Sequence, residues 1–186
     1  FKINKFIELK TFGFASGGSG LGGSASFILS LMISLSEAFQ LNLSKEEIIE
    51  KACFLEINKL KKPIGKQDQY LCAYEGFNSF KFFKDNTVKK NQLSLPKLKT
   101  LRRLSDNFYL IPTNKKRNSD KVLNKIKAEN ESLEKIIQLR EIANNFLYFD
   151  DDREYKIEQL FNSSVIESWL IKKSMSNVMN SILDEQ

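Results

Sequence analysis

The chain has 186 residues, 41% hydrophobic and 28% charged, with a formal net charge of +6 and no histidine. That is the ordinary composition of a globular protein with room for one domain or two small ones. Without histidine there is no Ser-His-Asp or Cys-His catalysis and no zinc site of the common catalytic kind, so any chemistry runs on carboxylates, lysine, hydroxyls, backbone amides or a hard metal ion. The positive charge is mild and dispersed among acidic neighbours. It reads as a solvated surface that suits anionic ligands, since a nucleic-acid footprint gathers basic residues on one face with aromatics between them. Cys53 and Cys72 lack CxxC spacing, so neither a disulfide framework nor a zinc site is expected, and a reducing cytoplasm fits. The opening residues do not read as a signal peptide, and the longest apolar stretch, over residues 27–35, is broken by serines and too short for a bilayer. The chain begins at Phe1 and ends at Gln186 inside helix-like sequence, so a fragment of a longer polypeptide is expected.

Residues 6–14, rich in aromatic and β-branched side chains, read as a strand. Gly17, Gly18, Gly20, Gly22 and Gly23, five of the eight glycines, then crowd into one loop ending at Ser24. A helix is expected directly after it, because Ile28, Leu31, Met32, Leu35, Ala38 and Phe39 recur at three- and four-residue steps. A second helix is expected after Asn42. Ser44 followed by Glu47 spells a capping box, and Ile49, Ala52 and Cys53 supply an apolar face on which Glu56 also falls. Next come a turn over 61–65, a strand over 74–83 bent at Gly76 and Asn78, a polar irregular segment over 88–98 with Pro96, and a strand over 107–112. Two helices complete the chain. The first, over about 119–146, offers Val122, Ile126, Leu133, Ile137 and Phe146 to a core. The second places Ile157, Phe161, Val165 and Trp169 on one stripe, and the acidic run at Asp150, Asp151 and Asp152 between them reads as a solvated linker rather than a metal site. The fold class expected is α+β, with a boundary near residue 100 dividing a domain over 1–100 from one over 101–186.

The glycine loop is the first candidate site. Strand, glycine loop and helix in succession aim backbone amides at phosphate: glycines permit the tight turn, and the helix start adds unpaired N–H groups and partial positive charge. A Walker A loop is excluded, because Gly23 runs straight into Ser24 with no lysine. A dinucleotide fingerprint is formally met by Gly18, Gly20 and Gly23, but a second helix stands where its second strand and acidic residue belong. Glu56 is the second candidate. A carboxylate on an apolar face needs a cation or a donor, or it turns out to solvent or pairs with Lys59 or Lys62. Asp68, twelve residues on, lies between Gln67 and Gln69 after Gly65 and Lys66. Those amides are placed to hydrogen-bond it and the lysine to lower its pKa; a turn-capping aspartate is the plainer reading.

Gly20-Leu21-Gly22-Gly23-Ser24-Ala25 resembles the phosphate loop of the GHMP superfamily of small-molecule kinases, with Ser16 where that pattern has proline and Gly23 where it has its first serine. Gly65-Lys66-Gln67-Asp68-Gln69-Tyr70 and the later Gly76 resemble the branch of D-glycero-D-manno-heptose 7-phosphate kinases and related sugar kinases. Similarity is good over residues 6–84 and looser over 107–123, where Thr113, Arg117 and Ser119 echo a family segment; full members are nearly twice this length, with N-terminal and C-terminal motifs not found here. The resemblance implies a ribosomal-protein-S5-like first domain, a ferredoxin-like second domain, and ATP and Mg²⁺ as cofactors. It places Gly18, Ser19, Gly20, Leu21, Gly22, Gly23 and Ser24 on the ATP phosphates and Ser24 and Glu56 on the metal. It makes Asp68 and Lys66 catalytic and Gln67, Tyr74, Gly76 and Arg117 substrate contacts. The implied partners are a nucleotide and a phosphorylated sugar, with neither nucleic acid nor membrane, in the cytoplasm. Oligomeric state is left open, a homodimer among the options. A fucose, galactose or other acceptor, or a non-catalytic binding homologue, remains the alternative.

Overall fold

A computed structural model describes residues 6–13, 20–111, 123–124 and 132–175. Helix α1 spans Gly23–Ala38, α2 Lys45–Cys53, and one π-helical turn, Phe54–Lys59, continues α2. After a turn come α3 (Gln67–Ala73), the strands β1 (Ser79–Phe82) and β2 (Val88–Asn91), and the helices α4 (Leu95–Ser105), α5 (Ser132–Tyr148) and α6 (Glu154–Met175). Mixed α+β character is therefore present, with helices dominant. Among the described residues no helix is long and apolar enough to cross a membrane.

The first region is built on three helices and a hairpin. Ile28, Leu29 and Met32 of α1 meet Ile49, Ala52 and Cys53 of α2 and Tyr70 of α3 in one buried cluster. Each large apolar side chain sealed there contributes roughly 1.5–3 kcal/mol. The expected capping box is present. Ser44 Oγ accepts from the Glu47 amide and Glu47 returns a carboxylate to the Ser44 amide, which fixes where α2 starts. The two strands pair antiparallel, Phe80 opposite Lys90 and Phe82 opposite Val88. Phe80 and Phe82 set their ring edges against Tyr70, with centroids 5.5 and 5.6 Å away, and this fastens the hairpin to α3.

The second region consists of α4, α5 and α6. Its helix α6 lies against both others, with Ile157 fully buried and Phe161 between Phe108 and Phe146. Lys97 of α4 is 5% exposed and donates to the Leu147 and Phe149 carbonyls at 2.7 and 2.8 Å. Those carbonyls are orphans at the end of α5, and the lysine satisfies them.

Several sequence expectations are corrected. Residues 6–13 carry no regular structure, and Phe6 and Phe12 stand in solvent at 110% and 92% exposure. Aromatic residues favour a strand only when a neighbouring strand gives them something to pack on, and none of the described strands does. Residues 107–111 are likewise irregular and exposed. The strand expected over 74–83 starts only at Ser79, because Gly76 takes φ +74° and the Asn78 side chain donates to the carbonyls of Tyr74, Glu75 and Gly76. The segment read as irregular, 88–98, holds β2 and the start of α4. Pro96 sits in the first turn of that helix, where its missing N–H costs nothing. Beyond β2 the described residues form helices and no sheet, so a ferredoxin-like second domain is not visible in them. Val122 and Ile126 lie outside the described residues, whereas the acidic linker appears as expected, with Asp151 held by Arg153.

Candidate functional site

The described part of the glycine loop turns on Gly20 and Gly22, at φ +76° and +69°, and Gly22 is the residue from which α1 departs. At Gly22 the requirement is double. A side chain would face a left-handed backbone, and its Cβ would meet Cys72 Sγ at 3.0 Å. The loop can therefore lie down on α3. Among the described residues no side chain is seen to cap the start of α1: its N-cap residue, Gly22, has none to offer, and its first turn has no acidic residue. The helix start thus offers an incoming anion its first N–H groups, uncapped among the described residues, and partial positive charge.

The first turn of α1 also carries Ser24, whose Oγ donates to Glu56 Oε1 at 2.5 Å across 32 residues of chain. Glu56 belongs to the π-helical turn and is fully buried. Its carboxylate is completely engaged. Lys62 Nζ donates to Oε1 at 2.7 Å and to Ser24 Oγ at 2.6 Å, and Gln69 Nε2 donates to Oε2 at 2.6 Å. Burial pushes the Glu56 carboxyl up, but the hydrogen bonds from Lys62, Ser24 and Gln69, with the Lys62 charge, outweigh it and hold the group below its ordinary value. The backbone builds this arrangement. The Leu60 amide closes the π turn on the Leu55 carbonyl, Lys61 takes φ +54°, and the Lys62 amide returns to the Glu56 carbonyl at 3.0 Å. A non-glycine residue in that conformation costs about 1–2 kcal/mol, and here the cost brings Lys62 back over Glu56.

Beside this lies a second network. Lys66 Nζ and Tyr70 Oη both donate to the Glu50 carboxylate, each at 2.7 Å. Burial raises the Glu50 carboxyl, and the bonds from Lys66 and Tyr70 more than offset it, so its pKa lies low. Tyr70 is driven well above its ordinary value, by burial and then by the same bond. Tyr74 Oη donates to Glu46 at 2.7 Å, under the Lys45 and Lys90 ammonium groups at 4.8 and 4.5 Å from its ring.

The structure thus brings together Ser24, Glu56 and the start of α1, with Gln67 and Asp68 in the first turn of α3 nearby in the chain. Asp68 is exposed and has no hydrogen bond or ion pair among the described residues. The expected support for it is arranged otherwise. Gln69, expected to bond Asp68, faces Glu56, because successive helix residues point about 100° apart. Lys66, expected beside Asp68, is engaged by Glu50. Tyr74 and Gly76 sit at the end of α3 and in the bend before β1. Gly18, Ser19 and Arg117, with Thr113 and Ser119, lie outside the described residues. Sequence reasoning gave Gln69 to Asp68 rather than to Glu56, and it named Lys62 only as one optional partner of Glu56. No local pattern marks either contact, because both depend on α3 and the turn folding back on α2.

Ser24 and Glu56 are hard oxygen donors of the kind Mg²⁺ takes, and the position between them already holds a cation, the Lys62 ammonium. The donor set fits the metal on that ground. Among the described residues no three acidic or cysteine side chains gather to hold a metal, so further ligands would come from phosphate and water.

Residues 4–76 match the family described as GHMP kinases N terminal domain. The D-glycero-alpha-D-manno-heptose 7-phosphate kinase of Campylobacter jejuni is 33% identical to the chain over 89 residues, 48% of this chain and 26% of that protein. The chain thus spans about a quarter of the length of this curated relative. No solved structure matches. By both findings the chain resembles the GHMP kinases.

Proposed function

We propose that the chain is the nucleotide-binding part of an ATP- and Mg²⁺-dependent sugar kinase of the GHMP type. Residues 1–100 would be its nucleotide domain and 101–186 the beginning of a second, ferredoxin-like one. The observation carrying the reading is the contact between Ser24 and Glu56. Two residues that the resemblance pairs on a metal are bonded to each other, with a cation beside them, at the start of a helix that no side chain caps among the described residues.

In this reading the loop from Gly18 to Ser24 cradles the ATP phosphates. Gly20 and Gly22 let the backbone approach them, and the first amides of α1 face their charge. Ser24 and Glu56 hold Mg²⁺, which when bound neutralises charge on the phosphates during transfer. Gln69 keeps the Glu56 carboxylate oriented by occupying its second oxygen. Asp68, exposed and free of partners among the described residues, accepts the proton of the acceptor hydroxyl. Lys66 acts through charge, with Glu50 and Tyr70 fixing its position. Gln67, Tyr74, Gly76 and Arg117 contact the acceptor.

The acceptor proposed is D-glycero-D-manno-heptose 7-phosphate, at its anomeric hydroxyl, giving the 1,7-bisphosphate. The name of the Campylobacter relative and the Gly65–Tyr70 run support it, and the net charge of +6 favours an anionic sugar. The test is incubation with ATP and Mg²⁺ over a panel of heptose 7-phosphate, fucose, galactose and other sugars, with products identified by mass and phosphorus NMR. Phosphate gained at the anomeric position of the heptose is the expected outcome. Turnover of another sugar would replace the acceptor, and ATP binding with no transfer to any would favour a non-catalytic homologue.

A further inference from the structure

Ser24, Glu56 and Lys62 form a closed triangle. Lys62 Nζ is 2.6 Å from Ser24 Oγ and 2.7 Å from Glu56 Oε1, and the two oxygens are 2.5 Å apart. That spacing belongs to a hydrogen bond between the oxygens. Two oxygens on one octahedral magnesium stand about 2.9 Å apart, so a metal would have to open the pair. It would also have to move the lysine. Glu56 is fully buried, its other oxygen is taken by Gln69, and the Lys62 side chain is 28% exposed. The ammonium therefore stands between the carboxylate and solvent. A divalent ion and an ammonium on the same two oxygens would repel strongly at such range.

Lys62 is held there by its own backbone. The Lys62 amide bonds the Glu56 carbonyl after the left-handed Lys61, so the side chain starts at the mouth of the site. Its four-carbon stem is flexible and its three donors suit phosphate oxygens. The first amides of α1 begin within a residue of Ser24, so an anion bound there would lie within reach of a displaced ammonium.

We infer that Lys62 is a tethered counter-ion that competes with the divalent metal for Ser24 and Glu56, so that the metal enters only with the nucleotide, whose phosphates receive the displaced ammonium. The inference rests on the proposed reading of Ser24 and Glu56 as metal ligands. It makes Lys62 a determinant of metal affinity and of the order of binding, rather than a structural ion pair alone.

The test is Mn²⁺ binding to the full chain, read by the electron paramagnetic resonance of free Mn²⁺, first without nucleotide and then with a non-hydrolysable ATP analogue. The wild type is expected to bind Mn²⁺ weakly alone and well with the analogue. Lys62→Gln, which keeps a donor and removes the charge, is expected to bind Mn²⁺ alone about tenfold tighter or more, since one unit charge at hydrogen-bond distance is worth at least that. Lys62→Arg is expected to behave as the wild type, and Glu56→Gln to lose binding in both conditions. Equal affinity in Lys62→Gln and wild type, with Glu56→Gln still defective, overturns the role of Lys62 and leaves the ligands standing. Undiminished binding in Glu56→Gln overturns the ligand reading and the inference with it. Should Lys62→Gln fail to fold, the wild type decides alone. Its Lys62 ammonium ¹⁵N signal, identified by its loss in Lys62→Arg, is expected to shift when Mg²⁺ and the analogue bind together, and an unchanged signal overturns the proposal.

Discussion

The two regions of the molecule bury polar groups for different ends. In residues 20–91 a buried carboxylate is the meeting point: Glu56 gathers Ser24, Lys62 and Gln69 from three separate segments. In residues 95–175 the buried polar contact is a cap: Lys97 closes the last carbonyls of α5, and nothing about it is open to a ligand. Arg103, with Glu158 and Glu154, forms an ion pair at the surface of that region. A buried charge brought to a loop and a helix start is arranged for an exchangeable partner, whereas a buried charge spent on helix carbonyls is arranged for packing.

The comparison can be broken by substitution. Glu56→Ala strips three donors of their acceptor and is expected to destabilise the protein by about 3 kcal/mol, the low end for breaking a buried pair, because Lys62 can turn to water. Denaturant unfolding measures it, and a loss as small as a surface pair's would mean the cluster is not the hub of the first region. Lys97→Met leaves two α5 carbonyls unsatisfied and is expected to cost about 2 kcal/mol, with faster amide exchange at the end of α5 and unchanged exchange in α1 and α2. If exchange rises throughout, the two regions are one cooperative unit. Glu158→Ala removes an exposed partner of Arg103 and is expected to cost about 0.2–1 kcal/mol, less at high salt. A larger loss would show that α4 and α6 are tied by charge rather than by Leu101, Ile157 and the Phe161 contacts.

What was legible in the sequence was local. The capping box at Ser44 and Glu47 and the apolar steps of α1 and α2 follow from neighbours within one or two turns, and Glu56 on the face of Ala52 followed from the same period. The glycine loop and the Ser24–Glu56 pairing were legible through resemblance. What depends on distant chain was not. The partner of Lys66 is Glu50 and that of Gln69 is Glu56, and neither can be read without knowing that α3 lies along α2. The π turn at Phe54–Lys59 has no compositional mark, although it sets the return of Lys62. The strands failed where aromatic content was taken as sufficient, at residues 6–13 and 107–111. The hairpin formed where Phe80 and Phe82 had Tyr70 to pack on.

The central claim is that this cluster serves phosphoryl transfer from ATP, with Asp68 as the proton acceptor. Its most direct test is ADP release from ATP and Mg²⁺ with the acceptor found in the panel, for the wild type beside Asp68→Asn. The account predicts turnover in the wild type and a loss of about 10²–10⁴-fold in the variant, with nucleotide binding and unfolding midpoint unchanged, since Asp68 is exposed and unpaired among the described residues. Equal turnover in the two proteins would contradict it.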